Sequence, residues 1–281
     1  MLAFVTSLRH PQNSSDYRRV ESLLRETLDS ITGQTRSDFV VIVVGNREPS
    51  FRLPPKTVFV PVAFEAPAPP NGPRTDRTSF VWDKGTKIGA GLLAAREYAP
   101  THVMIFDADD YVSNQLADFV SSRDGNAAWV LRSGWMYSHT REVIKPIDRF
   151  NKTCGTSFIV PFEAYAVPAS LSPQSSQTAI ADGFGDTLPN VLGAHRDAEE
   201  WFTSHGLEVL PLPFRGAVYN VDTGENHSGK SFRGLARPVS SPLIRQFGLP
   251  VRRSRANRLW EAIGPRAAVE TFRSRLRLFR G

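Results

Sequence analysis

Several features that mark secreted, membrane and zinc-binding proteins are scarce in this sequence. It has 281 residues and one cysteine, Cys154, which excludes an internal disulfide and a zinc site built from cysteines. We expect Cys154 to be a small packed residue without a catalytic role. The longest apolar run, residues 39–44, is far shorter than the ~18 residues that cross a bilayer. Residues 1–6 lack the basic and apolar segments of a signal peptide, so we expect a first strand there and a cytoplasmic protein.

Excess positive charge is absent from most of the chain and concentrated at its end. The formal net charge is +6, but residues 245–281 hold ten arginines and two glutamates, a local net charge of +8. Residues 1–244 therefore carry −2, so we expect no nucleic-acid partner.

The basic end of the chain is predicted to be a helical extension, residues 241–281, with helices at 255–263 and 266–279. In the second helix, four apolar residues lie on one face flanked by arginines: Val269, Phe272, Leu276 and Phe279. Such a helix fits peripheral contact with the inner face of an anionic membrane, or with a partner. It fits equally well a helix packed on the rest of the protein with a solvated basic side.

The first 120 residues alternate between strand and helix patterns. Buried strands are predicted at residues 2–7, 39–44, 57–63 and 103–106, and helices at 16–31 and 86–97. This order predicts a doubly wound α/β fold with a mainly parallel sheet. Beyond residue 127 we predict shorter, partly antiparallel strands, with a helix at 194–204: 127–131, 135–139, 143–147, 157–160 and 208–212.

Three carboxylates follow the strand at 103–106 within four residues: Asp107, Asp109 and Asp110. Their repulsion and desolvation disfavour such a cluster unless a cation or a ligand lies among them. In a parallel α/β sheet, ligands bind at the carboxyl ends of the strands. We therefore predict a divalent metal that in turn holds phosphates. The alternative is that Asp109 and Asp110 cap a helix at 114–120, which would need only one acid.

These motifs together resemble the nucleotide-sugar-dependent glycosyltransferases of the GT-A fold, and family 2 most of all. Residues 30–35 are similar to the family's S-x-x-x-Q-T turn, and residues 84–95 match the helix that precedes its metal motif. Asp107-Ala108-Asp109 matches the DxD motif itself. The resemblance implies a Rossmann-like mixed sheet flanked by helices, with a catalytic domain at 1–240. Its nucleotide-binding half would be residues 1–120 and its acceptor half residues 121–240.

The resemblance also implies an activity and its cofactors. The protein would be a glycosyltransferase dependent on Mn²⁺ or Mg²⁺, moving a sugar from a nucleoside-diphosphate-sugar donor to a hydroxyl acceptor. Metal ligands would be Asp107, Asp109 and His227. Donor contacts would come from residues at strand ends, in the DxD motif, before a helix and in a late polar loop: Thr6, Ser7, Asn46, Lys87, Asp107, Ala108 and Lys230. Asn46 stands where the family usually has an aspartate that contacts the base.

Two further points rest on individual residues. Lys84 and Lys87 flank a turn ahead of a predicted helix N-terminus, where an anion is favoured, and we favour Lys87 for the nucleotide. The general base stays open between His195, Asp197 and Glu199, with Asp197 expected in the first helical turn. Helix capping and surface solvation explain these residues equally well.

Two other classes of protein remain open. A nucleotidyltransferase has a similar sheet and also uses acids with a metal, but residues 6–11 lack the glycine of its phosphate loop. A non-catalytic module that binds sugar nucleotides is the third class, which the intact acidic cluster disfavours.

Overall fold

Two sheets and their flanking helices make up the part of the chain described by the computed structural model, residues 1–68, 78–123, 127–225 and 230–278, with side chains to residue 272. The strands are β1 (Leu2–Ser7), β2 (Phe39–Gly45), β3 (Thr57–Pro61), β4 (His102–Ile105), β5 (Tyr111–Val112), β6 (Ala128–Val130), β7 (Ser133–Ser138), β8 (Val143–Asp148), β9 (Phe158–Pro161), β10 (Val209–Pro211), β11 (Ala217–Val221) and β12 (Arg237–Pro238).

The α-helices are α1 (Tyr17–Thr32), α2 (Thr78–Ala95), α3 (Leu116–Ser121), α4 (Gln177–Phe184), α5 (Ala198–Ser204), α6 (Ser241–Phe247), α7 (Arg255–Ile263) and α8 (Pro265–Leu278). Short 3₁₀ turns occur at Pro11–Asn13, Arg96–Tyr98, Phe150–Lys152 and Phe162–Tyr165, and a π-helical turn at Leu188–Leu192.

The larger sheet has seven strands in the order β10-β6-β9-β4-β1-β2-β3. Strands β4, β1, β2 and β3 are parallel to their neighbours in this series, and β9 is antiparallel to both β4 and β6. The smaller sheet has the order β12-β8-β7-β11-β5. The predicted α/β class, a mixed sheet flanked by helices, is confirmed by this topology.

Side-chain alternation along β1 places an apolar core on each face of the larger sheet. Leu2 and Phe4 belong to the core that includes the buried face of α1, and Ala3 and Val5 to the core that includes α2 and α4. Helix α2 approaches β1 closely because Gly91 lacks a side chain: a Cβ there would lie 2.5 Å from Val5 Cγ1. Both faces are therefore covered, which explains the continuous apolar runs of the central strands.

Helix boundaries account for most differences from the sequence predictions. Helix α2 begins at Thr78, eight residues before the predicted start, and α5 begins at Ala198 rather than at residue 194. The structure adds α4, α6 and β11, which the sequence did not predict. Helix α7 contacts β8 and β12 of the smaller sheet, so the start of the basic extension packs on the rest of the chain. In the part of the chain that is described, no helix combines the length and the hydropathy of a membrane span.

Candidate functional site

The acidic segment connects the two sheets. It follows β4, which is the middle strand of the larger sheet, and leads directly into β5 of the smaller sheet. Phe106 N donates to Val5 O at 3.0 Å, and Asp110 N donates to Asp107 O at 3.1 Å, which closes a tight turn. The turn therefore places all three carboxylates at the carboxyl end of a central parallel strand, where ligands bind in open α/β sheets.

Asp110 is fully buried and uses both carboxylate oxygens within the protein. Oδ1 accepts from Asn220 N at 3.0 Å, and Oδ2 accepts from the Thr156 hydroxyl at 2.6 Å and the Cys154 thiol at 2.9 Å. Burial raises the pKa of Asp110 well above its usual range, and repulsion from Asp109 adds to the rise. Asp110 thus joins the acidic turn to β11 and to the segment before β9, and Cys154 is the packed residue that we expected.

Asp107 accepts two hydrogen bonds at the edge of the site. Lys84 Nζ donates to Oδ1 at 2.6 Å, and Gly155 N donates to Oδ2 at 3.2 Å. Burial of this carboxyl opposes its ionisation, but the Lys84 ammonium outweighs burial and holds the pKa of Asp107 below its ordinary value. Burial of the Lys84 ammonium lowers its pKa, but the ion pair with Asp107 outweighs this effect, so the pKa of Lys84 is raised. Asp107 is therefore an anion, paired with a protein cation.

Asp109 differs sharply from Asp107. Burial and the nearby charge of Asp107 raise its pKa to about 7, and Arg9 and Lys84 offset part of the rise. Arg9 itself forms an ion pair with Glu225, in the segment that follows β11. A half-protonated carboxyl beside an ionised one shows that the segment carries more negative charge than its surroundings neutralise.

The donor set suits a divalent cation. Among the described residues, one group of side chains could hold a metal, Asp107, Asp110 and Cys154, with their ligand atoms within 4.8 Å of one another. Asp110 and Cys154 are already hydrogen-bonded to each other. Asp107 and Asp109 are therefore the carboxylates of the acidic turn that remain for a cation. Hard oxygen ligands of this kind suit Mg²⁺ and Mn²⁺. The predicted third ligand, His227, lies outside the described residues.

Lys84 and Lys87 lie in surroundings that differ from those that the sequence suggested. Both lie inside α2, not ahead of its N-terminus. Lys87 is fully buried, and its Nζ donates to Asp83 Oδ2 at 2.8 Å and to Leu8 O at 3.1 Å. Burial lowers the pKa of Lys87 and raises that of Asp83. Lys87 therefore supports the segment after β1 in the free protein, and its predicted contact with a nucleotide stays a prediction.

The remaining predicted donor residues divide between buried and accessible positions. Thr6 is fully buried and its hydroxyl donates to Phe106 O at 2.7 Å, so it supports the acidic turn instead of facing a nucleotide. Ser7 and Ala108 are partly exposed. Asn46 Nδ2 donates to Phe64 O at 2.8 Å, while its buried Oδ1 has no partner among the described residues. That free acceptor, near the end of β2, could accept a hydrogen bond from a base.

The three candidate bases lie in different environments. Asp197 is at the N-cap of α5 without a capping bond, and its side chain is 86% exposed, so it does not lie in the first turn as predicted. Glu199 accepts from Arg132 at 2.6 Å and from Asn151 at 2.7 Å. His195 lies close enough to Asp107 for their charges to interact.

His195 is neutral at physiological pH. Burial and the Lys84 ammonium lower its pKa to about 4, against the opposing effect of Asp107. Its Nε2 is buried without a hydrogen-bond partner in the described structure. A cavity of about 20 Å³, room for roughly one water, is lined by Lys84, Gly155 and His195 among apolar side chains. Lys230 is near enough to His195 for their charges to interact, and its Nζ lies 5.8 Å from the centre of the Tyr219 ring.

Sequence reasoning considered Lys84 but favoured Lys87 over it, and it missed two further contributors to the site, Gly155 and Thr156. The Asp83–Lys87 spacing of four residues is typical of a helical ion pair, and that signal would have favoured Lys84 as the available cation. No local signal indicates Gly155 or Thr156. They reach the acidic turn from a segment almost fifty residues later, through hydrogen bonds that only the fold creates.

No protein-family model matches the sequence, and no curated protein matches it. Several solved structures are similar to it. TarS (residues 1–349) from S. aureus has a TM-score of 0.41 and 12% identity, over 78% of this chain and 60% of that chain, so the match spans less than two thirds of it. A nucleotidyl transferase from Methanothermobacter thermautotroptrophicus has a TM-score of 0.38 and 10% identity, over 81% and 92%. The inositol-1-phosphate CTP transferase from T. maritima has a TM-score of 0.38 and 11% identity, over 80% and 91%. Similarity at this level assigns no activity to the chain.

Proposed function

We propose that the protein is a metal-dependent glycosyltransferase that moves a sugar from a nucleoside-diphosphate-sugar donor to a hydroxyl acceptor. The observation that carries the proposal is the Asp107–Asp109 pair at the end of β4, where the pKa of Asp109 is raised to about 7 by burial and by Asp107. A cation between these carboxylates would relieve that repulsion, which is the arrangement that a diphosphate-binding metal site needs. The DxD resemblance at the same residues supports the same function.

Residues around the pair have roles in binding the donor. When bound, the metal held by Asp107 and Asp109 supplies positive charge for the diphosphate leaving group. Lys84 and Lys230 add cationic groups at the same edge of the sheet and can donate to phosphate oxygens. Asp110 holds the turn in place through Asn220 and Thr156. The side chains are therefore arranged for positioning and charge stabilisation of a phosphate ester.

His195 is the candidate that best fits the general base. It is neutral, it lies near Asp107, and its Nε2 is free of partners among the described residues. A pKa of about 4 makes it a weak base in the free protein, because burial disfavours the imidazolium and Lys84 repels it. A negatively charged donor beside Lys84 would offset that repulsion and raise the pKa of His195 toward the range of an effective base.

Ligand-dependent thermal stability tests this function. The protein is melted with UDP-, GDP- and CMP-linked sugars, each with and without Mn²⁺, and with nucleoside triphosphates. A ligand at 100 times its dissociation constant adds ~2.7 kcal/mol to stability, a shift of several degrees in a chain of this size. We expect one sugar nucleotide to raise the melting temperature only with the metal, and Asp109→Asn to abolish the rise.

Asp118→Asn is the matched control, because Asp118 is an exposed acid, 61% accessible, on α3. It should keep the full ligand response. A response to sugar nucleotides without metal dependence, or one that Asp109→Asn leaves unchanged, would overturn the metal-dependent transferase. A response restricted to nucleoside triphosphates would instead assign the site to a nucleotidyltransferase.

A further inference from the structure

The last two helices present large apolar side chains to solvent. On α7, Leu259 is 49% exposed, Trp260 67% and Ile263 58%. On α8, Val269 is 48% exposed and Phe272 65%. Spacings of three and four residues place each set on one helix face. Large apolar side chains grouped in this way mark a binding surface more often than ordinary protein surface.

These helices are held firmly by their other faces. Arg141, in the turn between β7 and β8, is only 3% exposed, and its guanidinium lies between the two helices. Its Nε is 3.6 Å from Glu261 of α7, and its Nη1 is 3.4 Å from Glu270 of α8. Ala262 and Ala267 are buried beside this cluster. The apolar side chains therefore point outward from helices that are docked, so their exposure is not explained by loose packing.

The exposed part of the extension carries an excess of positive charge. Its two acids, Glu261 and Glu270, both face Arg141 and are about a quarter exposed. The exposed side chains described between residues 251 and 272 include no acid, but include four arginines: Arg252, Arg253, Arg255 and Arg266. Three of these arginines also lie near acids: Arg252 near Glu26, Arg253 near Glu261 and Arg266 near Glu270. The sequence of α8 continues with three more arginines, at positions 273, 275 and 277. An apolar surface bordered by more arginines than acids matches anionic headgroups over an acyl layer.

We propose that the outward faces of α7 and α8 form a docking surface for an anionic phospholipid bilayer. A second copy of the chain is the weaker candidate, because a symmetric contact would bring the same arginines against one another. Trp260, Ile263 and Phe272 would enter the interfacial layer, while the arginines pair with lipid phosphates. The chain would bind as a peripheral protein, with the anchoring cluster around Arg141 fixing its orientation.

Vesicle co-sedimentation of the full chain tests the proposal. Wild type is compared on vesicles of phosphatidylcholine alone and on vesicles in which part of it is replaced by phosphatidylglycerol. We expect binding to the anionic vesicles only, weakened by salt. The double variant Leu259→Ser/Ile263→Ser should bind at least ~10-fold more weakly, since each lost apolar side chain removes buried area. Leu210→Ser is the matched control, because Leu210 is 39% exposed on β10, in the other sheet, and should bind as wild type.

A second variant tests the charge independently of apolar packing. Arg255→Glu changes an exposed side chain at the start of α7 and should weaken binding most at low salt. Thermal melting of each variant checks that it remains folded. Wild type that ignores anionic vesicles, or variants that bind them as tightly as wild type, would refute the membrane surface. Concentration-dependent dimerisation that Leu259→Ser/Ile263→Ser abolishes, without vesicle binding, would assign the surface to a second copy.

Discussion

The three carboxylates that follow β4 are close in sequence but differ in their surroundings. Asp110 accepts three hydrogen bonds within the protein, Asp107 is paired with the Lys84 ammonium, and Asp109 has no partner of comparable strength among the described residues. A lysine that bonds to a prospective metal ligand is itself a competing cation. A metal that binds Asp107 should therefore have to displace the Lys84 ammonium first.

Removing the Lys84 ammonium should tighten metal binding. In Lys84→Met, Asp107 Oδ1 no longer has a protein cation that a metal must displace. The pair is partly exposed, so its worth is about 1 kcal/mol and the expected gain is about fivefold in Mn²⁺ affinity, measured by calorimetric titration. Lys152→Met, which removes a lysine paired with Glu200, should leave the affinity unchanged. Equal or weaker affinity in Lys84→Met would show that Lys84 does not compete.

Asp109 should make both stability and metal affinity depend on pH. Its pKa is raised from 3.8 to about 7, so between these values the folded protein holds a proton that the unfolded chain has lost. The free energy of unfolding of the metal-free protein should then fall as pH rises, by at most ~1.4 kcal/mol per pH unit. Denaturant titrations at several pH values check this slope.

The metal affinity should change in the opposite direction. Protons compete with the metal for Asp109, so Mn²⁺ affinity should rise by about tenfold from about pH 6 to about pH 8. Asp109→Asn should make both pH profiles less steep, and the buried Asp110, whose pKa is also raised, accounts for stability slope that remains. Slopes equal to those of wild type in Asp109→Asn would mean that Asp109 is not the group that titrates.

At the scale of elements, the site depends on where segments distant in sequence meet. Thr156 accepts from Asp107 N at 2.9 Å and donates to Asp110 at 2.6 Å, so the segment before β9 sets the shape of the turn after β4. This contact is possible because β9 pairs with β4 in antiparallel register. Gly155 allows the two segments to approach, since a Cβ there would lie 2.8 Å from Asp107 Oδ2.

Gly155→Ala should damage the metal site more than the fold. The added methyl group must displace the Asp107 carboxylate, and overpacking of this kind costs about 1–3 kcal/mol. We expect roughly tenfold weaker Mn²⁺ binding with a small change in melting temperature. Gly33→Ala serves as the control, because its nearest contact would be an ordinary 3.4 Å. Unchanged metal affinity in Gly155→Ala would show that Asp107 is not a ligand.

At the scale of the whole molecule, Arg141 joins the basic extension to the smaller sheet. It contacts acids from both α7 and α8 and donates to Gly234 O at 3.2 Å. The two acids are each about a quarter exposed, with side-chain accessibilities of 24%. Losing the arginine removes the buried cation that both acids share, and leaves each with one more exposed arginine, Arg253 or Arg266.

Arg141→Met should release α7 and α8 from the sheet. Breaking a buried pair costs ~3–5 kcal/mol, and partial exposure of the acids reduces the expected loss to about 2–3 kcal/mol. Trypsin should then cleave the arginine-rich extension faster, and urea unfolding should lose stability. Arg36→Met, which removes an exposed arginine 3.8 Å from Asp118, should change neither measurement appreciably. Wild-type cleavage rates in Arg141→Met would show that the helices are held by other contacts.

Local patterns were sufficient for the α/β class, for most strands of the larger sheet, and for the position of the acidic turn. The spacing of apolar residues and the presence of acids after a strand are properties of short segments. The sequence alone is therefore enough to indicate them. The start of α2 was not predictable in this way. Because both lysines were placed ahead of that helix, the sequence favoured Lys87, whereas Lys84 is the lysine that contacts Asp107. The partners of Asp110 come from residues 154, 156 and 220, and the anchor at Arg141 joins residues 261 and 270. Contacts across such separations form only when sheets and helices pack, so the tertiary structure alone assigned each carboxylate its partners.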